Sequence, residues 1–157
     1  KKFFIQMIHI KRYREWLLEL KEKLNRGSED MKVDGVVLAV HEGHLIRKLR
    51  DRRGIWLCAK YPDATVKGGA DAFSTDNQVL LFLLEKVPSG QHSDEDELTH
   101  YASLQGLMDN LKTELQDGEL MCDDSVRLTT NLTIEWEYDI FGGWNGLSVS
   151  FKLEDFN

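Results

Sequence analysis

The sequence predicts one α+β domain: a single antiparallel-rich sheet, two main helices packed on one face, and a C-terminal β-hairpin. Three observations carry this reading. After Ser93, the apolar residues Leu98, Tyr101, Leu104, Met108, Leu111 and Leu115 recur at steps of three and four, the period of a helix with one buried face. Asn77–Lys86 (NQVLLFLLEK) is apolar at consecutive positions, as in a central strand covered on both sides. Val126, Leu128, Thr130, Leu132, Ile134, Trp136, Tyr138 and Ile140, and then Leu147, Val149, Phe151 and Leu153, alternate with their neighbours at the period of half-buried strands.

Length and composition agree with a single domain, 1–157. Of the 157 residues 41% are hydrophobic, with 4 Trp, 7 Phe and 4 Tyr, which supports a core and excludes a disordered chain. No stretch approaches the ~20 uncharged apolar residues of a membrane-spanning helix. A net charge of −7 argues against a general nucleic-acid binder, which needs a basic surface. Cys58 and Cys122 lie far apart with no partner motif and read as small apolar residues in a reducing compartment.

The elements follow in order. Residues 1–8 read as the start of a buried helix and not as a secretory signal, because Gln6 and His9 interrupt the apolar run and Lys11-Arg12 stops it. Tyr13, Trp16, Leu17, Leu20 and Leu24 share one helical face, and Gly27 is the stop. Val36–Val40 is a short strand. His41–Arg53 is either a short basic helix or an extended loop. Ile55–Tyr61 is a strand stopped by Pro62-Asp63, and Lys67–Asp71 is a flexible connection to the central strand, which Pro88-Ser89-Gly90 ends. Ser93 caps the second helix, Asp94–Glu97 oppose its dipole, and Gly118 ends it after about 24 residues, or some 36 Å. Asn145-Gly146 marks the hairpin turn. The predicted core is Tyr13, Trp16, Leu20, Leu98, Tyr101, Met108, Leu111, Leu132, Ile134, Val149 and Phe151, with Leu132, Ile134 and Trp136 facing the helices.

Motifs of catalysis and ligation are weak. His41-Glu42-Gly43-His44 spaces its histidines three apart, whereas the helical zinc motif needs four, so it reads as a surface turn. Asp94–Glu97 lacks the alternate spacing and turn glycine of a calcium loop. Gly142-Gly143-Trp144-Asn145-Gly146 joins two strands and so opens no helix onto a phosphate. Asp123-Asp124 has no partner acid, and no GxSxG or CxxC occurs. The reading is a non-enzyme without metal or cofactor.

Charge is distributed unevenly. Residues 1–60 carry 15 Lys/Arg against 8 Asp/Glu, and residues 61–157 carry 5 against 19. The candidate basic interface is Arg47, Lys48, Arg50, Arg52 and Arg53, and the candidate lumen or interface acids are Glu135, Glu137 and Asp139. If these poles separate in space, the subunit suits head-to-tail association, which closes into a ring where the rotation permits.

The order of elements resembles the tail-terminator (tail-completion) proteins of long-tailed bacteriophages. Helix, sheet, second helix and closing hairpin match over nearly the whole chain, through Gly54–Pro62, the Lys67–Thr75 loop, the strand Asn77–Lys86, Pro88, the helix from Ser93, and the strands Glu135–Ile140 and Leu147–Leu153. The Arg47–Arg53 stretch and the long first helix depart from the pattern. The resemblance implies a virion protein of the tail or neck, assembled in the host cytoplasm. It would form a ring of six copies joining the tail-tube protein to the neck connector, with DNA passing through unbound and no membrane contact. A different class also fits the acids: a small binding module resembling immunity proteins, with Glu135, Glu137, Asp139 and Asp94–Glu97 presented to a basic nuclease toxin.

Overall fold

Helix α1 (Ile10–Arg26) forms where five large apolar side chains fall on one stripe, and Tyr13, Trp16, Leu17, Leu20 and Leu24 are all buried. It begins after His9, whose Nδ1 accepts from the Lys11 N–H at 3.2 Å, so Ile8 and His9 precede the helix. Gly27 ends it by donating its N–H to the Lys23 carbonyl at 3.2 Å. The computed structural model describes residues 8–69, 72–87, 93–117, 126–128 and 131–156. Residues 1–7, Pro88-Ser89-Gly90, Gly118 and Cys122–Asp124 lie outside them.

Asn25, near the end of α1, clamps the next strand. Its Nδ2 donates to the Val33 carbonyl at 3.0 Å, and its Oδ1 accepts the Val33 N–H at 2.7 Å. Strand β1 (Val33–Ala39) then crosses through helix α2 (Glu42–Leu49) into β2 (Ile55–Lys60), and the two strands pair in parallel. Parallel neighbours need such a crossover, so the His41–Arg53 segment resolves as a helix and not as an extended loop.

Strands β4 (Ala72–Lys86) and β7 (Trp144–Phe156) pair antiparallel from Ser74↔Phe156 to Lys86↔Trp144 and form the centre of the sheet. One flank of β4 carries β2 and then β3 (Asp63–Gly69); the free flank of β7 carries β6 (Thr133–Ile140) and the short β5 (Val126–Leu128). The sheet is therefore mostly antiparallel, with β6 and β7 as the C-terminal hairpin.

Helix α3 (Asp94–Asp117) starts with a reciprocal cap: Ser93 Oγ accepts the Asp96 N–H at 3.2 Å, and Asp96 Oδ2 accepts the Ser93 N–H. It packs beside α1 on one sheet face, burying Leu104, Leu107, Met108, Leu111 and Leu115 against Leu81, Leu83, Leu147, Val149 and Phe151. The opposite face holds a second layer, where Leu45 and Leu49 of α2 meet Cys58, Phe82, Leu84 and Trp144. Two covered faces explain why β4 is apolar at successive positions.

Four expectations are corrected. Lys67-Gly68-Gly69 pairs with β4 as part of β3, and its flexible-loop composition yields to a ladder of backbone hydrogen bonds. The alternation from Val126 to Ile140 is not one strand, because Asn131 and Leu132 leave the ladder between β5 and β6. The hairpin turns at Phe141–Gly143, with Asn145-Gly146 already inside β7. Gly146 is required there for a different reason: a Cβ would collide with the Leu83 carbonyl of the neighbouring strand. Leu98, Ile134 and Trp136, placed in the core by periodicity, are exposed: Leu98 sits near the start of α3, and Ile134 and Trp136 stand on the outer strand β6.

Candidate functional site: the two edges of the sheet

The outer strands β1 and β6 lie at opposite edges, four strand spacings apart, or about 19 Å. The basic cluster forms at the first edge. His41 caps α2 through its Nδ1, which accepts the His44 N–H, and Arg47 and Lys48 fall in the last turn, where the helix dipole favours cations. Lys48 Nζ donates to the Leu38 carbonyl at 2.7 Å. The Arg52 guanidinium sits 4.8 Å from the Trp56 ring, whose Nε1 donates to the Arg53 carbonyl at 2.8 Å. Gly35 makes room for that ring, since a Cβ there would overlap it. Arg47, Lys48, Arg50, Arg52 and Arg53 are all exposed and are gathered by α2 and the turn after it. Partial desolvation, then the charges of Lys48, Arg47 and His41, hold the His44 imidazole below its usual range.

Between these cations the surface carries Val40 and Ile46, 49% and 40% exposed. On the helix, Ile46 stands one turn before Arg50, so one outward stripe combines an apolar side chain with a guanidinium group, and Arg47 projects to its side.

The second edge has the opposite sign. Segments 93–98 and 133–140 hold seven carboxylates and no Lys or Arg. Trp136 pairs with Leu147, which places it on the face of α1 and α3. Glu135 and Glu137 therefore point to the face of α2. Glu135 is exposed, and Glu137 Oε2 accepts the Ser148 hydroxyl at 2.7 Å. Asp139 does not join them. The pairing slips between Glu137 and Ile140, and Asp139 sits in this bulge at φ +51°, its N–H donated to Asn145 Oδ1 at 2.7 Å.

On the other side of β6 lies a feature that the sequence reading assigned to the core. Leu98, Trp136 and Tyr138 are 65%, 56% and 73% exposed. Tyr101 joins them: its ring meets Trp136 edge-on at 5.7 Å, and its hydroxyl donates to the Glu137 carbonyl at 2.8 Å. Desolvation, then Glu97, Tyr138 and Glu137, raise the Tyr101 hydroxyl above its ordinary range. Two aromatics alternating with Glu in a terminal hairpin were the available sequence signal for an edge strand.

Among the described residues no three His, Cys, Asp or Glu side chains are placed to hold a metal ion, and no helix is long and apolar enough to cross a membrane. The chain matches no protein-family model and no curated protein sequence.

Proposed function

We propose that the chain is a ring-forming structural subunit of a long-tailed phage, a tail terminator or neck component joining the tail tube to the connector. One observation carries the reading: a basic edge and an acidic edge lie on opposite sides of a single sheet. Two different, complementary surfaces on one body generate a heterologous contact, which closes into a ring or runs on as a filament. The order of helix, sheet, second helix and closing hairpin adds support through its resemblance to tail terminators. In such a ring, of six copies in the resembling family, the exposed Glu135 beside Glu137 gives a wall that repels passing DNA phosphates.

The acidic edge favours a second reading, an inhibitor that offers carboxylates to a basic nuclease. Electron microscopy of the purified chain, alone and with the tail-tube protein encoded beside it, separates the two. Rings, or caps seated on tube ends, support the structural reading. A chain that leaves tube ends bare and binds a basic nuclease instead overturns it.

A further inference from the structure

We infer that the exposed patch of Leu98, Trp136 and Tyr138 is the socket for the α2 stripe of a second copy of this chain, an inference that rests on the ring-forming reading. The socket is apolar and aromatic, and its rim is acidic, since Glu97 and Glu137 lie close enough to act on the Tyr101 hydroxyl beside it. Among the described residues, the surface around Val40 and Ile46 has the matching chemistry: it is apolar at its centre and flanked by the exposed Arg47 and Arg50. Each surface offers what the other lacks. Apolar burial of Ile46 and Val40 against Trp136 and Tyr138 removes both patches from water. Arginine over an aromatic ring is a contact this chain already makes between Arg52 and Trp56.

The opposite edges matter as much as the chemistry. A copy that docks its α2 stripe into a neighbour's socket still presents its own socket at the far edge of its sheet. The contact is therefore directional, and its head-to-tail repetition closes into a ring or extends as a filament. The β1 edge is unsuited to simple strand addition, because Asn25 occupies the Val33 backbone groups and Lys48 the Leu38 carbonyl. Docking through side chains of α2 avoids that obstruction.

The test uses two blocked forms of the full chain. One carries Leu98→Ser and Tyr138→Ser in the socket; the other carries Ile46→Gln, Arg47→Gln and Arg50→Gln on the stripe. All five positions are exposed, and circular dichroism checks that both forms fold. At concentrations where the unchanged chain assembles, each form alone should sediment as a monomer, with association weakened at least about tenfold. Mixed one to one, they should stop at a heterodimer, because one intact socket and one intact stripe remain. Assembly of either form at unchanged strength, or a mixture that stays monomeric, overturns the inference and leaves the ring reading to another interface. An unchanged chain that is monomeric at every concentration overturns it too, and the ring reading then falls only if tube ends also stay bare.

Discussion

The Tyr101 hydroxyl donates to the Glu137 carbonyl at 2.8 Å, tying α3 to an edge strand that otherwise has a ladder on one side only. This bond fixes where the aromatic socket stands relative to the acidic first turn of α3. Tyr101→Phe removes it and should cost about 0.5–1.5 kcal/mol in urea unfolding, with faster amide exchange across β6. An unchanged midpoint and unchanged exchange would show that the strand holds its place without the helix.

Two leucines of α3 should behave differently although periodicity treats them alike. Leu111 is fully buried between α1 and the sheet, so Leu111→Ala should destabilise by about 2–5 kcal/mol. Leu98→Ala should fall within about 0.5 kcal/mol in the dilute monomer. Equal losses would return Leu98 to the core.

Gly146 and Asp139 test the hairpin. Gly146→Ala brings a methyl against the Leu83 carbonyl and should cost at least about 2 kcal/mol of stability. Asp139→Asn should be nearly neutral, because Asn tolerates the left-handed backbone, whereas Asp139→Val should cost about 1–2 kcal/mol. Thermal unfolding of the three variants orders them, and a tolerated Val would remove the bulge from the account.

His44 gives a pH dependence. Its folded value lies below the ordinary 6.5, so the folded chain binds this proton less readily than the unfolded chain. The stability it contributes is complete above 6.5 and is lost as pH falls through the folded value. Protonation also ends the role of Nδ1 as acceptor for the Val40 N–H. Nuclear magnetic resonance titration of the ring should give a midpoint below 6.5, moving upward in Arg47→Gln; a midpoint at or above 6.5 contradicts this.

Much of the fold was legible because burial repeats along the chain. Tyr13 through Leu24, the α3 leucines from Leu104 to Leu115 and the β7 alternation all announce a face, and each is buried as expected. The segment that misled was Val126–Ile140. Alternation there reports which face each residue shares, and Trp136 does lie on the face of α3. It does not report how much of that face the helices cover: α3 reaches β6 through Tyr101 and still leaves Trp136 and Tyr138 more than half exposed. Asn145-Gly146 misled for a similar reason, since glycine serves both turns and close backbone approach and only the partner strand decides which. Of the candidate site, the five cations were readable as a run that one short helix and the turn after it gather. The acids were readable in number and not in place, because the bulge at Asp139 breaks the period on which their alignment depended.

The account stands most directly on how the full chain sediments as concentration and salt are varied. It predicts closed oligomers at low ionic strength that dissociate as salt screens the carboxylate–guanidinium contacts between opposite edges. A single monomeric species at every concentration, low salt included, that also leaves tail-tube ends bare would contradict it.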